Sequence, residues 1–239
     1  MKSFGDLFSD SLKEYSGKFT PILKLFLTLY VIPSILVAII VGVIFLTSSF
    51  SLPMDQLQDD FTGFSAFAML KGGISPIFIV LLVLVFIVYI TASILLSISY
   101  IHLSLSKSKN ISLSECLRVS KGLFWKYLGL CIVTLLALIG LFILLIIPGI
   151  IFMVFWIFAS YALINEKLGI VDSLKKSKSI VKGRWWRTFG FLILLLLIVV
   201  AFSFVIGLLP FIGSLISSII VQPFAVLFLK NFYLDMKKK

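Results

Sequence analysis

The chain has 239 residues, 61% of them hydrophobic and only 13% charged, with a mean hydropathy of +1.20. A soluble domain carries about 25% charged residues, so a soluble fold is excluded and residues 1–239 read as a single integral membrane domain. The net charge is +11, but the cations sit beside apolar runs, so their explanation is the membrane and no nucleic-acid partner is expected.

A short basic helix opens the chain around Asp10-Ser11-Leu12-Lys13 and ends near Gly17, with Ser3 and Asp6 at the spacing of an N-terminal cap. A helix needs about 20 apolar residues to cross the hydrocarbon, and Pro21 to Leu46 supplies the first span. Asp6, Asp10 and Glu14 precede it and no A-x-A-like cleavage site follows, so it reads as a retained span and not a signal peptide. The loop from Thr47 to Gly73 carries Asp55, Asp59, Asp60 and Lys71, and Ile77 to Ser99 forms the second span.

Ser112-Leu113-Ser114-Glu115 is a capping box that starts a second basic helix, Glu115-Cys116-Leu117-Arg118, with Gly122 and then Phe124-Trp125-Lys126. Tyr127 to Ile164 is uncharged, too long for one crossing and basic on both flanks. It must fold as a hairpin, with its turn expected at Pro148-Gly149. A third basic helix, Asp172-Ser173-Leu174-Lys175, ends near Gly183 and is followed by Arg184-Trp185-Trp186-Arg187. In it Ile170, Leu174, Ser177 and Val181 share one stripe, while Lys175, Lys178 and Lys182 share another. Thr188 to Leu229 reads as the last hairpin, with Pro210 and Gly213 in its turn.

The expected fold is therefore all-α and polytopic: six transmembrane helices in three hairpins, each preceded by a cytoplasmic amphipathic interfacial helix. The recurrence of acid, small residue, leucine and cation before each hairpin marks three pseudo-repeats, 1–106, 107–166 and 167–239. All Lys and Arg except Lys71 fall on the side of the three basic helices, which places both termini in the cytoplasm of a cell-membrane protein. Cys116 then faces a reducing compartment and Cys131 lies in a span, so no disulfide is expected and both read as packing residues.

Aromatic rings favour the interface and cations meet phosphates, so Lys121, Trp125, Lys126, Lys182, Arg184, Trp185, Trp186 and Arg187 are the candidate headgroup contacts. Membrane lipids, anionic ones included, are the expected partners, with an unidentified membrane or cytoplasmic protein as a further possibility. No acidic or basic residue occupies the centre of a span, which argues against ion-coupled transport. A passive route for a lipid-like or small hydrophobic solute is the rival reading, with Ser214, Ser218 and Gln222 lining its cavity. For Gln222, beside Pro223, a hydrogen bond to a neighbouring helix is the simpler expectation.

Glu166 at the end of the fourth span is placed to pair with cations of the third basic helix. His102 is the only histidine, with no second ligand or carboxylate near it in sequence. No H-E-x-x-H, G-x-S-x-G, phosphate-binding loop or dinucleotide fingerprint occurs, so no catalytic, cofactor-binding or metal-binding residue is assigned and a non-enzymatic protein is expected.

Pro148-Gly149, Glu166-x-x-Gly169, Ser173-Leu174-x-x-Ser177 and Gly183-x-x-Trp186 form a pattern over about residues 110 to 235. It resembles prokaryotic six-span membrane families of unassigned role, and also the membrane domain that precedes some glycerophosphodiester phosphodiesterases. In those enzymes the chemistry resides in a separate soluble barrel. The resemblance thus implies architecture and a membrane-resident role, and no catalytic activity.

Overall fold

A computed structural model describes residues 1–49, 76–106, 111–207 and 212–238. The described chain is helical: α1 Phe4–Gly17, α2 Phe19–Phe26, a π-helical turn Leu27–Val31, α3 Ile32–Ser49, α4 Pro76–Leu105, α5 Leu113–Leu144, α6 Ile146–Trp156, α7 Ala159–Glu166, α8 Ile170–Val181, α9 Trp185–Gly207 and α10 Ile212–Lys237. Among the described residues six stretches are long and apolar enough to span a bilayer, from Phe19–Val43 to Ile219–Lys237. The chain is a multi-pass membrane protein. The acidic loop with Asp55, Asp59, Asp60 and Lys71 lies outside the described residues, as does Pro210; Gly213 falls in the first turn of α10.

Packing divides the chain into two units. Unit 2, Leu27–Ser93, holds the π-helical turn, α3 and the first part of α4. Pro33 has no N–H for the Leu29 carbonyl, and the chain widens there into the π turn while Ser34 Oγ donates to the Tyr30 carbonyl at 2.6 Å. Tyr30 and Tyr89 join their hydroxyls at 3.2 Å within the same unit.

Unit 1, Met1–Phe26 with Ile94–Lys239, contains the core. Phe158, Tyr161, Phe228, Phe232 and Tyr233 are buried, and the Phe158 and Phe232 rings meet at 5.4 Å. Lipid is as apolar as these side chains, so close contact and hydrogen bonding, more than exclusion of water, hold such a core. Tyr161 accordingly donates to the Val226 carbonyl at 2.9 Å, and Ser99 and Ser120 join at 2.7 Å.

The first two basic helices start at side-chain caps, while the third opens at Gly169 with no side-chain cap and has Asp172 in its first turn. Ser3 Oγ accepts the Asp6 N–H at 3.1 Å and Asp6 returns the bond at 3.0 Å, while Ser112 Oγ accepts the Glu115 N–H at 3.2 Å. Their ends differ. The first stops at Gly17, and the third stops before Gly183, whose φ of 81° a side chain would resist. The second runs on through Gly122 into its span as one 32-residue helix, against the expectation of a break. A glycine inside a helix costs only about 1 kcal/mol, too little to stop one that is hydrogen-bonded on both sides.

The apolar faces of α1 and α8 are used within unit 1. Phe4 packs on Phe191 and Phe228 at 5.4 and 5.0 Å, Phe8 on Phe224 at 5.1 Å, and Leu7 is buried between them. In α8, Ser177 and Val181 are buried and Leu174 half-buried, while Lys175, Lys178 and Lys182 are exposed. Ser11, Cys116 and Ser173, which follow the acid in the three similar segments, are all buried. A small residue at that position lets each helix approach its neighbour. Cys131, by contrast, is exposed on α5 and packs nothing away; both thiols are free.

The turn of the second hairpin falls at Leu145, three residues before the expected Pro148. Leu145 alone leaves the helical conformation, and its N–H still bonds the Leu141 carbonyl at 2.9 Å. Pro148 instead sits in the first turn of α6, where a missing N–H leaves nothing unpaired. Gly149 is required by close approach, because a Cβ there would lie 2.6 to 2.8 Å from three ring atoms of Phe142. Gly149→Ala is expected to cost about 1 to 2 kcal/mol in chemical unfolding, since the half-exposed Phe142 ring can turn partly aside. An unchanged midpoint would contradict this packing.

Candidate functional site

Charged side chains gather at one end of unit 1. On α1, Ser11 and Glu14 are three residues apart, and Lys18 follows Glu14 by four, so the three share a face. Glu14 divides its carboxylate between two lysines: Oε1 meets Lys18 Nζ at 2.8 Å and Oε2 meets Lys230 Nζ of α10 at 2.5 Å. The lysine side chains are only 6% and 7% exposed. Lys18 Nζ also donates to the carbonyls of Leu103, Ser104 and Ser106 at 3.0, 3.3 and 2.8 Å. It thereby closes the C-terminal end of α4, where carbonyls lack helical partners and the helix dipole favours a cation. Lys230 donates to Asn231 at 2.9 Å, and Asn231 donates to Ser11 Oγ at 3.0 Å.

Burial alone would raise the Glu14 carboxyl, but the hydrogen bonds and charges of Lys18 and Lys230 outweigh it and hold the group below its ordinary 4.5. This cluster was not foreseen from the sequence. Its signal was present, since Lys230 is an isolated cation late in the last apolar run and Glu14 stands four residues before Lys18.

Two further clusters tie the same end together. Glu166 takes Lys237 at 2.9 Å, Lys176 of α8 at 3.7 Å and the Tyr233 hydroxyl at 2.9 Å, so the expected pairing with the third basic helix is present. Arg187 pairs with Asp235 at 3.2 Å, donates to the Lys2 carbonyl and lies 5.0 Å over the Phe191 ring. Arg184 donates to the Met236 carbonyl at 3.1 Å, closing the end of α10.

The eight candidate headgroup residues thus separate. Trp125 and Trp186 are 77% and 79% exposed, and Lys121, Lys126 and Lys182 beside them are exposed without an ion-pair partner among the described residues. Arg184, Trp185 and Arg187 are half-buried and engaged: Trp185 Nε1 donates to the Ile151 carbonyl at 3.3 Å and its ring stacks on Phe189 at 5.0 Å.

Gln222 is exposed on α10 instead of reaching a neighbouring helix, because Pro223 takes the buried side and its predecessor is turned about 100° away. Ser214 and Ser218 belong to the same helix, but their side chains lie outside the described residues. Tyr100 Oη and His102 Nε2, on the last part of α4, are buried without a hydrogen-bond partner among the described residues.

Within unit 1 a cleft of about 490 Å³ opens beside Lys13, Glu14, Lys18 and Lys230, and another of about 410 Å³ beside Lys2 and Asp235. Gln222 lines neither. Among the described residues no three His, Cys, Asp or Glu side chains gather as a metal site would require. No protein-family model, curated protein or solved structure matches this chain.

Proposed function

We propose that this is a non-enzymatic membrane protein that holds anionic lipid headgroups at its charged end, which faces the cytoplasm with both termini. The observation that carries the reading is the pair of exposed indoles, Trp125 and Trp186, each set among exposed lysines. An indole is amphipathic and settles at the headgroup level, and an ammonium there gains about 1 kcal/mol near an anionic surface. Lys121, Trp125 and Lys126 form one such patch, Lys182 and Trp186 the other. Arg184, Trp185 and Arg187 support the second patch from behind, through α10 and the Ile151 carbonyl.

Enrichment of a fluorescent anionic lipid over a zwitterionic one around the reconstituted protein, read by energy transfer from tryptophan, tests the proposal. The triple variant Lys121→Gln, Lys126→Gln, Lys182→Gln is expected to reduce that enrichment at least about fivefold, the factor that about 1 kcal/mol supplies. Equal enrichment in parent and variant would sink it.

A further inference from the structure

We propose that the cleft between α1, the C-terminal end of α4 and α10 is a binding site for a phosphate group, carried by an anionic lipid headgroup or by a small soluble phosphate ester. The site stands apart from the indole patches and shares none of their residues.

The charge balance of the cluster points to an anion. Lys18 and Lys230 are both more than nine-tenths buried, yet Glu14 supplies a single negative charge between them. Asp10, the other carboxylate near Lys230, is taken by Lys2 Nζ. A buried cation without a full counter-charge is costly, and the two lysines resolve this differently. Lys18 has Glu14 and three backbone carbonyls within 3.3 Å, more acceptors than it has protons. Among the described residues Lys230 has only Glu14 Oε2 and Asn231 Oδ1 for its three N–H groups. One donor of a buried ammonium is left, and Lys230 lines the cleft.

The surroundings suit a phosphate. Lys13, exposed on α1, and the Asn165 amide line the same opening and add a third cation, beside Lys18 and Lys230, and a further donor. Gly17 also lines the opening. Leu105 and Leu234 supply an apolar flank along which glycerol or an acyl chain can lie. The cleft of about 490 Å³ has room for more than a phosphate group.

The test uses the full chain in a zwitterionic detergent, with ionic strength held constant by sodium chloride, and reads the unfolding midpoint against added ligand. Inorganic phosphate and dihexanoylphosphatidylglycerol are each expected to raise the midpoint saturably. Lys13→Gln, which removes an exposed side chain, is expected to shift half-saturation about tenfold higher, the loss of one charge-assisted contact. Lys230→Gln is expected to abolish the response, while Lys175→Gln, on the exposed face of α8 and outside both sites, leaves it unchanged. Half-saturation by the short-chain lipid at least about tenfold below that of phosphate assigns the site to a headgroup, and similar values assign it to a soluble ester. The proposal is overturned if neither ligand raises the midpoint beyond chloride, or if Lys13→Gln responds as the parent does.

Discussion

Glu14→Gln is expected to destabilise the protein by about 3 to 5 kcal/mol in chemical unfolding, the cost of breaking a buried ion pair from one side. The glutamine can still accept a hydrogen bond, but Lys18 and Lys230, 6% and 7% exposed, would then face each other with no negative charge between them. The effect spreads beyond the pair. Glu14 joins α1 to α10 directly and, through Lys18, to the end of α4, so three segments of unit 1 lose their common anchor. The carboxyl is held below its ordinary 4.5, so its stabilising contribution is complete above that pH and is lost as the pH falls below 4.5 through the lowered value. The parent should therefore lose stability on acidification in a window that the Glu14→Gln variant lacks. A variant as stable as the parent at pH 7 would mean that the two lysines need no counter-charge.

Ser177→Ala should cost about 2 to 4 kcal/mol, roughly twice the cost of orphaning one buried polar group. The fourth span is broken between α6 and α7, and the break exposes a carbonyl and an N–H that no helix partner satisfies. Ser177 of α8 serves both: its hydroxyl donates to the Phe155 carbonyl at 2.6 Å and accepts from the Phe158 N–H at 3.1 Å. Hydrogen bonds between spans average well under this cost, but here both freed groups belong to the backbone of a buried break. Ser179→Ala, one turn face away and exposed, removes only a local bond to the Lys176 carbonyl and is the control, expected near zero. Equal midpoints for the two variants would show that the break is held by packing alone.

Ser177 also marks how far the sequence could be read. Its place on the inner stripe of α8 followed from spacing, because periodicity of 3.6 reports which residues share a face. Its partner did not, because which backbone atoms a serine meets depends on how two separate segments come to rest. The same division runs through the whole molecule. The six apolar stretches were legible because bilayer thickness sets a length that composition must meet. Gly17, Gly122 and Gly183 look alike in sequence, but only the backbone angle of Gly183 requires a glycine, and Gly122 is passed without a break. Pro148 read as a turn because proline interrupts helices, but in the first turn of α6 it interrupts nothing.

The charged residues show the same division most sharply. Arg184 and Arg187 beside Trp185 and Trp186 have the composition of a headgroup patch, yet the arginines reach Met236 and Asp235, about fifty residues away in the chain. Lys230 and Glu14 are 216 residues apart. A cation that closes a helix and a cation that meets a phosphate obey the same electrostatics, so only the three-dimensional partner tells them apart.

Native mass spectrometry of the protein extracted in its own lipids tests the proposed lipid binding most directly. The parent should retain anionic lipid in preference to zwitterionic lipid, and the Lys121→Gln, Lys126→Gln, Lys182→Gln variant should lose that preference while unfolding at the parent's midpoint. Retention of anionic lipid unchanged in the variant, or a parent that carries no anionic lipid and instead a stoichiometric protein partner, would contradict it.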